Sequence, residues 1–378
     1  MPQEAVLRNA AIVLRDEVKT GAVLIRDGFI ADLSSSSAVG EDMDGDYLIP
    51  GLVELHTDHL EGHYSPRPGV RWNAIAAVQA HDAQIAASGI TTVFDCLRMG
   101  SDEDGGFDPH EMRLLADAIE AAQGHGRLRA EHLLHLRCEV SSPDVLDALE
   151  RFRDDRNVRL ASLMDHAPGQ RQFQTMEQYT LYYKTKRGMS DEAFERYVAS
   201  RKEQSARYSS VHRKAIAEHC RDAGVTLASH DDATLAHVDE AVTDGVRLAE
   251  FPTSLEAARA SHEAGMSVLM GAPNIVRGGS HSGNIAARDL ADAGILDVLS
   301  SDYIPSSLVH AAFLLADGEG GISLPEAVAL VTSTPARTVG LDDRGEIAPD
   351  KRADLVRVRQ HHGIPTVRSV WRRGERVT

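Results

Sequence analysis

Cysteine is scarce in this chain of 378 residues, and its pattern argues against a disulfide framework. The three cysteines, Cys96, Cys138 and Cys220, are widely spaced and form no CxxC pair. An odd number of distant cysteines is typical of proteins that work in a reducing compartment. We therefore expect a cytoplasmic protein without structural disulfides.

Long apolar runs and an excess of positive charge are also missing. No stretch of about 18 apolar residues occurs, so no membrane-spanning helix is expected. The first ten residues carry charges and lack an apolar segment, so no secretory signal is predicted. The formal net charge of -17 argues against nucleic acid and anionic membranes as partners. The expected partner is a small-molecule substrate. The sequence does not decide whether the chain also forms a homo-oligomer.

Strand-like segments separated by turns stand at both ends of the chain. These segments are Val6–Leu14, Ala22–Ile25, Phe29–Leu33, 353–358 and Val367–Trp371. They are short, apolar or alternating, and bounded by turn residues such as Asp27-Gly28. We predict one small β-sandwich domain built from residues 1–50 and 340–378, with residues 51–339 inserted between its halves.

The middle of the chain alternates between short apolar runs and helix-forming stretches. The candidate strands are Gly51–His56, Thr91–Cys96, Leu133–Cys138, Val158–Met164, Val225–Ser229, Val246–Ala249, Ser267–Met270 and Leu296–Ser300. Helix starts with a capping residue are expected at Asp108, Ser142, Ser190, Ser254 and Ser323. Eight such units predict an α/β fold, a (β/α)8 TIM-like barrel. The stretch 192–222 is longer than one barrel helix needs and could include a cap.

Residues that commonly bind metals follow several of these strands. They are His56, Asp58, Glu139, His166, His230 and Asp302. One such residue alone is more often an ordinary hydrogen-bonded polar side chain, but six at the ends of strands favour a metal centre. Imidazole and carboxylate together suit zinc, manganese or iron, as one or two ions, and such ions activate water near neutral pH. Asp302 is also a candidate catalytic residue, as the acceptor of a proton from the attacking water.

Residues 48–58 (Leu-Ile-Pro-Gly-Leu-Val-Glu-Leu-His-Thr-Asp) resemble the opening motif PGxxDxHxH of the amidohydrolase superfamily. The β-domain split between the termini, the helix start at Ser333-Thr334-Pro335-Ala336 and residues 345–356 are similar to the same superfamily. The resemblance implies a barrel hydrolase with a divalent metal, zinc above all. One departure is Asp58, which stands where the motif has its second histidine.

With Asp58 in this position, the sequence resembles one branch of the superfamily, the phosphonate-metabolism hydrolases of the carbon–phosphorus lyase pathway. Residues 56–61, 65–69, 164–170, 228–232, 250–254, 271–280 and 301–303 carry this likeness. It implies hydrolysis of ribose 1-methylphosphonate 5-triphosphate to the 5-phosphate and pyrophosphate. It also implies that Glu139 bridges two ions and that His166 and His230 complete the second metal. In many relatives two such histidines follow strands five and six, whereas here they follow predicted strands four and five.

An acidic protein needs local cations to hold a triphosphate. The segment 274–282 combines three glycines with basic and hydroxyl side chains, and glycines let the backbone approach phosphate closely. Other basic residues follow the first metal motif and precede the long helix. The candidate substrate-binding residues are Arg67, Arg71, Lys184, Lys186, Arg187, Asn274, Arg277, Gly278, Gly279, Ser280 and His281.

Two other readings stay open. One is an amidohydrolase that acts on a C–N bond, such as a deaminase, a cyclic amidase or a deacetylase. Assays with ring amides, aminopurines and triphosphates would separate this class from a phosphoanhydride hydrolase. The other is a non-catalytic barrel that serves as a scaffold, which need not carry stoichiometric metal.

Overall fold

The computed structural model describes residues 4–101, 107–171, 180, 190–280, 283–318 and 321–378. Two sheets organise this part of the chain. The strands are β1 Glu4–Val13, β2 Val18–Arg26, β3 Phe29–Ser34, β4 Glu41–Asp42, β5 Tyr47–Pro50, β6 Leu52–Thr57, β7 Ile90–Met99, β8 Glu131–Glu139, β9 Val158–Met164, β10 Thr226–His230, β11 Leu248–Glu250, β12 Ser267–Gly271, β13 Val298–Ser300, β14 Leu355–His361, β15 Ile364–Arg372 and β16 Glu375–Arg376.

The eight strands β6 to β13 form a parallel barrel in chain order. An isolated parallel bridge between Thr57 and Asp302 joins the first strand region to the last. All eight predicted barrel strands are confirmed, within a few residues at their ends. Apolar side chains such as Leu55, Phe94 and Leu160 fill the barrel interior. The carboxyl ends of the strands therefore meet at one rim, where barrel enzymes place their active sites.

Helices cover the outside of the barrel. They are α1 His59–Tyr64, α2 Ala74–Ala87, α3 Pro109–Gly124, α4 Val145–Glu150, α5 Asp191–Ala223, α6 Leu235–Asp244, α7 Leu255–Glu263, α8 Ala272–Arg277, α9 Ala287–Asp292, α10 Ser307–Asp317, α11 Leu324–Ala329 and α12 Ser333–Thr338. Four of the five predicted caps are confirmed, with capping boxes at Asp108 and Ser323. The prediction for Ser142 is wrong, because Asp144 caps α4 and Ser142 instead donates to its carboxylate at 2.7 Å.

The strands from both termini form one mixed sheet. Its order is β16-β15-β14-β5-β1-β2-β3, with β4 beside β1. The predicted turn between β2 and β3 is present, and Asp27 and Gly28 both have positive φ, as a tight two-residue hairpin requires. Leu48, Ile49 and Leu355 are fully buried, because β5 pairs with β14 just before the chain enters the barrel.

Gly51 stands at the junction between the sheet and the barrel. A Cβ atom there would lie 2.2 Å from Oγ1 of Thr91 and 2.9 Å from Cβ of Asp354. Only glycine lets β5 lead directly into β6 at this close approach. The glycine of the opening motif therefore determines how β6, the strand that carries His56, enters the barrel.

The long stretch that could include a cap is one continuous helix. α5 has 33 residues, is capped by Ser190 and ends at Gly224 in the left-handed conformation. Its second half packs Ile216, Ala217 and Cys220 against the barrel wall. Neither α5 nor any other helix in the described ranges is long and apolar enough to cross a membrane.

Candidate active site

The first barrel strand brings two predicted ligands to the rim. His56 is buried near the end of β6, and Asp58 precedes α1 with a partly exposed side chain. Between the strands, buried Glu54 accepts a 2.6 Å bond from the His56 backbone N–H and a 2.5 Å bond from that of Ser301. Burial raises the pKa of Glu54 to about 8. Glu54 thus links the backbones of the first and last barrel strands at His56 and Ser301.

Asp302 follows β13 and is held through its backbone. Its N–H donates to the His56 carbonyl at 3.1 Å, and its carbonyl accepts from the Thr57 hydroxyl at 2.8 Å. Burial and the neighbouring Asp58 carboxylate raise the pKa of Asp302 to about 6. Asp58 and Asp302 both line one cavity, as the binding of a shared cation would require.

The fourth and fifth barrel strands supply two imidazoles and a carboxylate. His166 follows β9 and His230 ends β10, as counted from the sequence, and their ring centroids are 5.6 Å apart. Oδ2 of Asp231 accepts from Nδ1 of His230 at 2.7 Å and lies 3.8 Å from Nε2 of His166. Burial opposes the charged form of His230, but Asp231 outweighs it, so the pKa of His230 is raised. Asp231 was missed as a ligand candidate, although its motif was recognised.

Glu139, the predicted bridge between two ions, ends the third barrel strand and contacts His166. It is fully buried, and its Oε2 accepts a 2.7 Å bond from Nδ1 of His166. Its Oε1 accepts from the Ser141 hydroxyl at 2.6 Å and lies 3.4 Å from the Arg201 guanidinium. Burial works against ionisation, but His166 and two arginines lower the pKa of Glu139 below its usual range. Glu139 therefore contacts His166 in a position suited to orienting that imidazole, and its assignment as a bridge between two ions stays a prediction.

A buried chain of polar groups orients His56 in the same way. Nδ1 of His56 lies 3.2 Å from Oε1 of Glu250, and Oε2 of Glu250 accepts from Ser162 at 2.5 Å. Ser162 in turn contacts His135, whose Nδ1 donates to the Leu55 carbonyl at 2.9 Å. Burial, followed by Arg137 and His230, lowers the pKa of His56, which keeps this imidazole neutral. Glu250 ends the sixth barrel strand and was not among the predicted residues.

Arg137 is the main functional candidate that the sequence did not reveal. It lies on β8, lines the cavity, and places its Nη1 3.8 Å from Oδ2 of Asp58. Its Nε is buried and has no hydrogen-bond partner in the described ranges. Burial disfavours the charge, but Asp58, Glu61 and Asp302 help raise the pKa of Arg137 further, so the guanidinium stays cationic. A fixed positive charge therefore stands among the carboxylates.

Three residues at the rim have strained backbone conformations. Asp231, Phe251 and Asp302 have φ values of 60°, 53° and 54°, the left-handed region that non-glycine residues rarely adopt. Each immediately follows a barrel strand or, for Asp302, comes two residues after one. Phe251 stacks edge-on against His56 at 4.9 Å and lies 5.2 Å from His230. Such strain is concentrated where side chains must be aimed at a shared point.

A cavity of about 300 Å³ joins these groups. Its lining includes His56, Asp58, Arg137, His166, His230, Asp231 and Asp302. One ligand atom each from His166, His230 and Asp231 lies within 4.8 Å of the other two, and the same holds for His56, His230 and Glu250. Buried imidazoles backed by carboxylates form the usual donor set for a divalent transition metal. The residues present therefore fit such an ion.

The predicted phosphate segment lies against the same cavity. Asn274, Arg277, Gly279 and Ser280 line it, whereas Gly278 does not. Residues 274–277 belong to the helix α8 instead of a loop, because Gly278 ends that helix with a φ of 82°. The N–H groups of Gly278 and Gly279 donate to the carbonyls of Ile275 and Asn274. The side chains of Arg277 and Ser280, and not glycine N–H groups, are therefore the donors presented to the cavity.

Two other predicted substrate contacts, Arg67 and Arg71, do not line this cavity. Arg71 places its Nε 2.5 Å from the Glu111 carboxylate and lies over the Phe107 ring, 4.7 Å from its centroid. Arg67 is exposed, and neither arginine lines the cavity. Their assignment as substrate contacts stays a prediction, and for Arg71 the Glu111 carboxylate would compete with a bound phosphate. Lys184, Lys186, Arg187 and His281 lie outside the described residues.

Comparison with known proteins gives one family and one close relative. The profile of the amidohydrolase family matches residues 73–378. A protein of Escherichia coli (strain K12) named alpha-D-ribose 1-methylphosphonate 5-triphosphate diphosphatase is 48% identical over 376 residues, which cover 98% of this chain and 100% of the relative. An imidazolonepropionase of Deinococcus deserti is 27% identical and covers 100% of this chain and 96% of the relative.

Solved structures repeat the architecture at low identity. A Xaa-Pro dipeptidase with methionine bound in its active site superposes with a TM-score of 0.66 at 15% identity, and the match covers 99% of both chains. At that identity the likeness shows the fold alone. The predicted combination of a barrel and a terminal sheet is thus confirmed by the strands and by this neighbour.

Proposed function

Because the chain belongs to the amidohydrolase family, we propose that it hydrolyses ribose 1-methylphosphonate 5-triphosphate to the 5-phosphate and pyrophosphate. The observation that carries this proposal is the shared cavity. Its floor holds imidazoles and carboxylates, and its wall holds Arg277 and Ser280, which suit a phosphate chain. The 48% identity to the E. coli diphosphatase over nearly the whole chain supports the same substrate.

A divalent metal, most suitably zinc, is the cofactor of this proposal. His166, His230 and Asp231 would hold one ion, and His56 with Asp58 and Asp302 would hold another or share it. Such an ion supplies Lewis acidity toward a phosphoryl oxygen and lowers the pKa of a water molecule. Glu139 and Glu250 keep His166 and His56 in the orientation that leaves their Nε2 atoms to face the cavity.

Asp302 is the proposed proton acceptor. Its carboxylate stands at the rim between Asp58 and the last barrel strand, and its backbone is fixed by His56 and Thr57. A positioned carboxylate that takes the proton from the attacking water contributes to the rate through general base catalysis. The attack breaks the bond between the α- and β-phosphoryl groups, and pyrophosphate leaves.

Arg277 and Ser280 are the proposed holders of the phosphate chain, and Arg137 faces it from the barrel. Two guanidinium groups in one cavity attract an anion locally although the whole chain carries a net charge of -17. Each can donate charge-assisted hydrogen bonds, which are stronger than neutral ones. The overall acidity therefore does not oppose a triphosphate substrate at this site.

Phosphorus NMR of the products tests the proposed reaction. We expect ribose 1-methylphosphonate 5-triphosphate to yield pyrophosphate and the 5-phosphate. We expect the reaction to stop after chelation and to resume when Zn²⁺ is added back. Release of orthophosphate from the triphosphate end, or hydrolysis of a cyclic amide with no turnover of the triphosphate, would refute the proposal.

Arg277→Met is expected to weaken substrate binding more than it slows the reaction. A hydrogen bond to a charged group contributes about 1.5–3 kcal/mol, so KM should rise roughly tenfold or more. Steady-state kinetics of pyrophosphate release measure the split between KM and kcat. Arg259→Met, on an exposed part of α7, is the matched control and should leave both constants unchanged. An unchanged KM in Arg277→Met would exclude this contact.

A further inference from the structure

Three histidines form a cluster between α1 and α2, next to the candidate active site. His59 and His63 are four residues apart on α1 and so share one face of that helix, while His81 lies on α2. One ring nitrogen of each lies within 4.8 Å of the other two. None of the three lines the candidate cavity or takes part in the proposed hydrolysis.

The spacing of the ring nitrogens matches that around one tetrahedral ion. Nδ1 of His59 lies 3.3 Å from Nδ1 of His81. Two imidazole nitrogens bound to the same zinc ion at about 2.0–2.1 Å lie roughly 3.3–3.4 Å apart. A hydrogen bond between the two rings could give that distance too, but it would leave the third histidine unexplained.

His63 supplies a separate indication. Its Nε2 atom is buried and makes no hydrogen bond to any residue in the described ranges. Its ring centroid is 4.9 Å from that of His59 and 6.0 Å from that of His81. A buried polar atom without a partner is costly, and a cation placed between the three rings would satisfy it.

A buried carboxylate orients His81. Nε2 of His81 donates to Oδ1 of Asp95 at 2.7 Å, and Oδ2 of Asp95 accepts from Nδ1 of His132 at 2.7 Å. All three of these side chains are fully buried. With Nε2 directed at Asp95, the His81 ring presents Nδ1 to His59. Histidines that bind metals commonly have a carboxylate in this position behind them.

We propose that His59, His63 and His81 form an accessory site for a zinc-like divalent transition metal, separate from the candidate active site. Three imidazoles suit zinc, nickel or copper, whereas magnesium and calcium require oxygen ligands. The ion joins α1 to α2. Because Asp58 immediately precedes α1, the ion also holds the segment that carries this carboxylate.

Zinc stoichiometry tests the site in the full-length protein. The protein is stripped with chelator, dialysed against low-micromolar free Zn²⁺ and analysed for metal by mass spectrometry. We expect His59→Gln and His63→Gln each to bind one zinc ion fewer per chain than the unmodified protein, and the double variant to lose the same single ion. His361→Gln, at the exposed end of β14, should lose none.

Two further measurements separate the accessory site from the active site and from a folding defect. The zinc loss in His63→Gln should add to the loss in His230→Gln. Zn²⁺ should slow chymotryptic cleavage after exposed Trp72, between α1 and α2, in the unmodified protein but not in folded His63→Gln. The proposal is overturned if both folded single variants retain the full zinc count, or if zinc protects the bond after Trp72 equally in the variant.

Discussion

Asp302→Asn should lower kcat about 10²- to 10⁴-fold, the range of a lost general acid or base. Asparagine has nearly the same shape, and the bonds that position residue 302 involve its backbone N–H and carbonyl. It also tolerates the positive φ of 54° found there, as aspartate does. The substitution therefore removes the charge and the proton acceptor. It keeps the backbone hydrogen bonds that join the last barrel strand to the first.

The measurement is the rate of pyrophosphate release at saturating substrate, together with the metal content of the same sample. We expect the variant to retain metal, because imidazoles and other carboxylates remain. Asp292→Asn, the same replacement on exposed helix α9, is the control and should behave like the unmodified protein. Unreduced turnover in metal-loaded Asp302→Asn would show that another group accepts the proton.

The barrel could be predicted because its strands are local features of the sequence. Runs such as Val158–Met164 are mostly apolar, as expected for strands buried on both faces, and Ser254 and Ser323 are recognisable caps of the helices that begin after them. His56, His166, His230 and Asp302 could be found for the same reason. Each comes at or just after the end of a strand, and the ends of parallel strands share a rim.

The carboxylates that contact and orient these candidate ligands could not be predicted in the same way. Glu250 contacts His56 across 194 positions of sequence, and Glu54 reaches Ser301 across 247. Such partners depend on which face of each strand points inward. A one-residue difference reverses that face, and sequence patterns place strand ends only within a few residues. The contact between Glu139 and His166 could not be predicted for the same reason, since 27 positions separate the two residues.

The substrate contacts show a second limit. Arg71 and Arg277 both follow motifs that resemble a phosphonate hydrolase, and both are cationic in the sequence. In the structure Glu111 pairs with Arg71, whereas Arg277 lines the cavity. Whether an arginine is free to bind an anion depends on acidic residues distant in sequence, and these become neighbours only in the folded chain.

Arg137→Met should lower kcat/KM by roughly two to three orders of magnitude, the size of effect seen when one preorganised donor to a developing negative charge is removed. The guanidinium lies in the cavity wall with most of its surface covered, and Oδ2 of Asp58 lies 3.8 Å from its Nη1. Removing it deletes a fixed positive charge from the place where the proposed phosphoryl transfer occurs. The loss should appear in pyrophosphate release by folded, metal-loaded protein.

In Arg137→Met the affinity for zinc should stay the same or rise while kcat/KM falls. This result would distinguish a role for Arg137 in the reaction from a role in holding the metal site together. The guanidinium repels a neighbouring cation and occupies Asp58, so Arg137→Met should bind zinc at least as tightly as the unmodified protein. Arg137→Lys keeps the charge but not the forked geometry and should recover only part of kcat/KM. Arg337→Met, which removes an exposed partner of Glu346, is the control for loss of an arginine. If zinc binding and activity fell together in Arg137→Met, Arg137 would be a support for the ligands; if neither changed, the buried charge would have no part in the reaction.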